Sequence, residues 1–79
     1  MWWQYQRIFI DQRYVRYRYS RESKKLDGII QFDRITKSID ILQPCSVDRE
    51  SLFCQKKAKE HFYYLIEEGF PEDRQVACG

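Results

Sequence analysis

Residues 48–71, DRESLFCQKKAKEHFYYLIEEGFP, decide the fold. At 100° per residue, Cys54, Ala58, His61, Phe62 and Leu65 fall on one stripe, with Ile66 at its edge. Lys56, Lys57, Lys59, Glu60 and Glu67 lie outside it. The spacing predicts a helix from about Asp48 to Glu68. Ser46 or Asp48 can accept hydrogen bonds from its free first-turn N–H groups. At the other end Gly69 can take the left-handed geometry, with Phe70 folding back and Pro71 preventing continuation. One amphipathic helix cannot bury its stripe alone, so a second layer has to come from elsewhere in the chain.

The first 43 residues supply it, because they read as strands. Trp3, Tyr5, Arg7 and Phe9 alternate with Gln4, Gln6, Ile8 and Ile10 in a run rich in aromatic and β-branched types. Asp11-Gln12 is the expected connection, although it lacks the glycine that a two-residue hairpin usually takes. In residues 13–20, Val15, Tyr17 and Tyr19 share one face, while Tyr14, Arg16, Arg18 and Ser20 share the other. A solvated loop, Arg21 to Lys25, leads to a turn at Asp27-Gly28. Strands from Ile29 to Asp33 and from Ser38 to Leu42 then form a hairpin, with Ile30, Phe32, Ile39 and Ile41 facing the core. Pro44 ends the ladder because it has no N–H to donate.

The expected architecture is one small α+β domain over residues 1–79. It has an antiparallel β-meander of three to four strands followed by one C-terminal α-helix packed on one sheet face. Residues 72–79 read as a polar turn and a mobile tail, in which Val76 offers an edge strand as the alternative to fraying. A composition of 43% apolar and 33% charged residues is that of a globular chain, and the 16% aromatic share can carry much of a small core. No apolar run approaches the roughly 20 residues that span a bilayer, so no membrane partner is expected. Met1 to Arg7 lack the basic-then-apolar order of a secretion signal. Cys45, Cys54 and Cys78 contain no C-x-x-C pair, and a reduced, cytoplasmic setting is the simplest inference.

Charge is uneven: residues 1–25 hold seven basic and two acidic side chains, and the rest hold seven basic and ten acidic. The basic part contains the most suggestive strand, in which Arg13, Tyr14, Arg16 and Arg18 could set guanidinium groups beside a ring for a nucleic-acid backbone. Against this, Gln31, Asp33 and Asp40 are expected on the same outer face, where Arg16 and Arg18 would pair with Asp33 and Asp40 across strands.

Other candidate chemistry is sparse. His61 and Cys54 share the helix stripe, and with Cys45 and Cys78 they make the Cys₃His ligand count of a structural zinc site. The short ligand pairs of such sites are missing, so no metal is assigned. The same Cys54–His61 couple could make a thiolate nucleophile, but one sheet and one helix offer little concavity for a substrate. Glu67 and Glu68 are adjacent and diverge on a helix, and no phosphate-binding loop or HExxH is present. Cys78-Gly79 at the C-terminus resembles the ends of small carrier proteins only in its last residue. The expectation is therefore a non-enzyme without cofactor. Trp2, Trp3, Tyr63 and Tyr64 exceed what one core absorbs, and they are the expected anchors for a protein partner or a second copy of the chain. Nucleic-acid binding is the alternative.

Overall fold

The alternation in the first 43 residues becomes four antiparallel strands in a computed structural model, which describes residues 1–77. They are β1 (Trp2–Ile10), β2 (Tyr14–Arg21), β3 (Gly28–Asp33) and β4 (Ile39–Gln43). A single 3-10 turn, Ser46–Asp48, precedes the helix α1 (Leu52–Glu67), and a fifth strand, β5 (Asp73–Ala77), follows it. The sheet order is β4-β3-β2-β1-β5, with every pairing antiparallel. The fold is thus α+β, with five strands instead of three to four. The helix crosses one face from the β4 edge to the β5 edge. Of the two outcomes open for the polar tail, the strand through Val76 is the one found, with Val76 opposite Trp3. Cys78 and Gly79 lie outside the described residues.

Both hairpin turns at one end of the sheet are closed by aspartates. Asp11 Oδ1 accepts the N–H groups of Arg13 at 2.8 Å and Tyr14 at 2.6 Å, which does the work a glycine does in a tighter hairpin. Asp33 Oδ1 accepts those of Ile35 and Thr36 at 2.9 and 3.2 Å, while Lys37 takes a positive φ of 65°. The two turns are tied together, since the Arg34 N–H donates to the Arg13 carbonyl at 2.6 Å and the Arg34 guanidinium to the Asp11 carbonyl at 2.8 Å.

The helix begins later than the sequence suggests. Its N-cap is Ser51, whose hydroxyl accepts the Cys54 N–H at 3.2 Å. Asp48 is unavailable as a cap because its carboxylate is buried against Arg21, with Nε–Oδ1 at 2.5 Å. The C-terminus closes as expected: Phe70 N–H bonds to Leu65 C=O at 2.8 Å and Gly69 N–H to Ile66 C=O at 3.2 Å, with Gly69 at φ 78°.

The core holds Trp3, Tyr5, Val15, Tyr17, Tyr19, Ile30, Phe32, Cys45, Ala58, Phe62, Leu65 and Val76, with Ile39, Ile41, Ile66 and Phe70 packed against it. Buried tyrosines need partners for their hydroxyls, and the layer above the sheet provides them. Tyr5 Oη donates to the Ala58 carbonyl at 2.7 Å and Tyr17 Oη to the Pro71 carbonyl at 2.5 Å, while Tyr19 Oη accepts the Cys45 N–H at 3.2 Å. Burial raises the pKa of all three hydroxyls, that of Tyr17 to about 12. A phenol whose folded pKa is raised contributes stability that is fully present below its unfolded value and lost as pH rises. The urea midpoint should therefore fall above about pH 10. An unchanged midpoint through that range would contradict the burial of these hydroxyls.

Gly28, the first residue of β3, marks a close approach. A Cβ there would stand 2.5 Å from Tyr19 Cε1 and 2.7 Å from the Cys45 backbone nitrogen. Neither neighbour can yield cheaply, because the ring is in the core and the nitrogen is main chain. Gly28→Ala should cost about 1–3 kcal/mol by urea denaturation, the range for overpacking a closed site. A neutral result would mean that the segment at Cys45 does not sit over Gly28.

Candidate functional site

Two surfaces carry the residues singled out in the sequence, and they lie on opposite sides of the sheet. The face away from α1 is uncovered by any helix. Alternation places Trp2, Gln4, Gln6, Tyr14, Arg16, Arg18, Gln31 and Asp40 on it. A register shift between Arg7 and Phe9 leaves Ile8 unpaired and brings Phe9 opposite Arg16, whose guanidinium lies 5.1 Å from the Phe9 ring centroid.

Tyr14, Arg16 and Arg18 therefore share a face as the sequence implies, but the expected ion pairs are absent. Arg16 Nε and Nη2 both donate to Gln31 Oε1, at 3.0 and 2.8 Å, and Arg18 Nε donates to Gln6 Oε1 at 2.6 Å. Register explains the change of partner: Gln31 is opposite Arg16, Gln6 is opposite Arg18, and Asp33 is opposite Tyr14. It is Arg13, with its guanidinium 5.0 Å from the Tyr14 ring centroid, that reaches Asp33, at 3.3 Å. Burial pushes the Asp33 carboxyl up, yet the Thr36 and Ile35 N–H groups and Arg13 outweigh it and hold the group below its ordinary value.

The four expected ring anchors do not form one patch. Trp3 is a correction: it is 1% exposed, pinned between β2 and β5, with its ring 4.6 Å from that of His61. Trp2 is half-buried on the opposite face beside Gln4, Lys24 and Leu26. Only Tyr63 and Tyr64 stand out on the helix, at 57% and 49% exposure. They diverge, Tyr64 stacking toward His61 at 6.4 Å and Tyr63 leaning toward β4.

Beside Tyr63 runs a groove of about 740 Å3 between α1 and β4, lined by Ile39, Ile41, Leu52, Gln55, Tyr63 and the lysines 37, 56 and 59, with Asp40 and Glu60. Leu52 and Phe53 are 81% and 61% exposed at the start of the helix. Neither was singled out as a contact residue. The signal was present in the spacing, since Leu52, Lys56, Lys59 and Tyr63 recur at intervals of four, three and four residues and make a second stripe beside the core stripe. Among the described residues, no carboxylate lies within 4 Å of the lysines at 37, 56 or 59, whereas Glu60 is paired with Lys57 at 3.3 Å.

Among the described residues, no three His, Cys, Asp or Glu side chains are grouped to hold a metal, and Cys78 lies outside those residues. Cys45 and Cys54 are free and buried. Burial, and then the Asp48 charge, push the Cys45 thiol up to about 11, which keeps it protonated and a poor nucleophile. Burial, and then Lys57, lower the His61 imidazole below its ordinary value against a smaller opposing effect of Glu60. Its Nδ1 is buried without a partner, as is Trp3 Nε1. No helix of the structure is long and apolar enough to cross a membrane.

Compared with known proteins, the chain matches no family model, no curated protein and no solved structure.

Proposed function

We propose that this domain is a small non-catalytic protein-interaction or accessory module that takes its partner, another protein or a second copy, on the flank of α1 that faces β4. The observation that carries the reading is the exposure of Leu52 and Tyr63 beside a groove floored by Ile39 and Ile41. Contiguous apolar and aromatic surface of this kind, rimmed by charge, is how protein contacts are usually built. Burial keeps the Cys45 thiol protonated and a poor nucleophile, which agrees with a role without chemistry. Two free cysteines fit a reducing, cytoplasmic setting.

Proximity labelling in the native cell tests this reading by comparing the chain with a Leu52→Asp, Tyr63→Asp double variant. Both positions are exposed, so the variant should fold with little change in stability. Loss of a discrete set of neighbours in the variant is the expected result, and an identical set in both would remove the reading.

One observation favours nucleic acid as the second reading. The Arg16 and Arg18 guanidiniums are held by neutral amide oxygens, so their charge is oriented but not cancelled. A salt titration with mixed-sequence oligonucleotides decides it, because phosphate contacts must show affinity that rises as salt is lowered. No affinity at low ionic strength would end it.

A further inference from the structure

We infer that the β4 edge and the adjoining groove form a strand-addition site for an extended segment of a foreign protein that carries apolar and acidic side chains together on one face, at every second residue. The inference rests on the protein-interaction reading and names the partner's chemistry. β4 is the last strand on its side of the sheet, so one row of its backbone groups has no ladder partner. The hydrogen-bond pattern says which row. Asp33 N–H donates to Ser38 C=O at 2.9 Å, and the register continues Phe32–Ile39, Gln31–Asp40 and Ile30–Ile41. Antiparallel pairs alternate between bonded and non-bonded, so Asp40 spends its N–H and C=O on Gln31, while those of Ile39 and Ile41 point outward.

An added strand would bond to Ile39 and Ile41, and its residues opposite them would project to the same side as their side chains. That side is the groove. The incoming side chains would meet Ile39 and Ile41 below and Leu52 and Tyr63 on the helix, a lining that selects apolar groups. They would also meet the lysines at 37, 56 and 59, which among the described residues have no carboxylate partners, whereas Glu60 is already engaged by Lys57 and Asp40, although it borders the groove, alternates its side chain to the other face. The unmatched charge is positive, which calls for carboxylates on the partner.

A second copy is the poorer occupant. Two β4 strands related by a two-fold axis and using both outward residues would set Asp40 directly against its own copy, and opposed like charges destabilise a strand pair. Shifting the register toward the C-terminus meets the irregularity that leaves Leu42 without a partner, and shifting it the other way meets the turn at Lys37.

The experiment is a titration of the isotopically labelled full chain, read from its backbone amide resonances. The probes are an end-capped heptapeptide with valine, glutamate and valine at its second, fourth and sixth positions and threonine between them, its counterpart with lysine in place of glutamate, and a version of the acidic peptide N-methylated at those three positions. The acidic peptide should shift the amides of Ile39, Ile41, Leu52, Lys56 and Tyr63. Affinity should fall by about tenfold or more for the lysine peptide and for the N-methylated one, which cannot complete the ladder. The double variant Lys56→Glu, Lys59→Glu should reverse the preference between the two charged peptides.

The proposal is overturned by an absence of shifts at millimolar peptide or by shifts confined to another surface. It is also overturned by unchanged preference in the charge-reversed variant. Sedimentation showing a dimer in which the Ile39 and Ile41 amides are protected from exchange would overturn it too, and would give the edge to a second copy. Failure here, with a set of neighbours that depends on Leu52 and Tyr63 still found by proximity labelling, would remove strand addition alone. An identical set of neighbours in the chain and its Leu52, Tyr63 variant would remove the wider reading.

Discussion

Phe62→Ala is expected to lower the unfolding free energy by about 3–5 kcal/mol, the cost of emptying a buried aromatic site. Phe62 is fully buried at the middle of the contact between α1 and the sheet. Its ring meets Tyr17 at 5.4 Å and Tyr5 at 6.0 Å, both edge-on, and Phe32 at 6.2 Å. These neighbours come from three different strands, and the hydroxyls of Tyr5 and Tyr17 are tethered to backbone carbonyls, so they cannot collapse into the space. A domain of this size has roughly 4–12 kcal/mol in total at the usual value per residue, so the variant should be marginal at 25 °C. Phe62→Leu, which keeps most of the volume, should cost much less. Urea denaturation followed by helical circular dichroism measures both, and a cost for alanine under about 1 kcal/mol would show that α1 is not seated on the sheet through this ring.

Arg21→Ala should cost about 3 kcal/mol or more, because it strands the Asp48 carboxylate without its counter-charge. The Asp48 side chain is fully buried, and Arg21 lies at the end of β2 with 22% of its side chain exposed. The same guanidinium reaches the Val47 carbonyl at 3.4 Å, so it anchors the 3-10 turn that leads into the helix. Asp48 Oδ2 has no hydrogen-bond partner, so the pair is less than fully satisfied even when intact. The sign of the double change follows from that. Replacing both residues by apolar ones, Arg21→Met with Asp48→Leu, should recover most of what Arg21→Ala loses, since no buried charge remains. A double-mutant cycle reads the coupling directly, and additive losses would mean that the two groups do not depend on each other.

The parts of the fold legible in the sequence are those written in a period. The stripe Cys54, Ala58, Phe62 and Leu65 is the buried side of α1, and Val15, Tyr17 and Tyr19 are the buried side of β2. Three features were hidden because no period records them. Alternation runs through Ile8 without a break, so the bulge that turns Phe9 to the outer face leaves no trace in the pattern. Residues 73–77 contain a single apolar residue that becomes buried, Val76, too little to separate a strand from a tail. The cap moved to Ser51 because a tertiary contact with Arg21 claimed Asp48, and the sequence around the helix start does not contain that contact.

The candidate surfaces divide in the same way. That Arg16 and Arg18 share a face follows from spacing alone, but their partners depend on register, which put glutamines where aspartates were expected. The exposure of Tyr63 and Tyr64 follows from their helical angle. The burial of Trp3 does not, because it depends on β5 arriving beside it from far along the chain.

Outermost strands are ordinarily the first to come loose, each peeling away without disturbing the rest. Here both of them are leashed to the two ends of one helix, β4 through the 3-10 turn and β5 through the Gly69–Pro71 corner. Neither margin can lift off freely while the rod between them stays seated on Phe62 and Leu65. Protection against deuterium of the ladder-bonded amides in β4 and β5 should therefore resemble that in the middle of the sheet, with the molecule opening as one unit instead of unravelling from its borders.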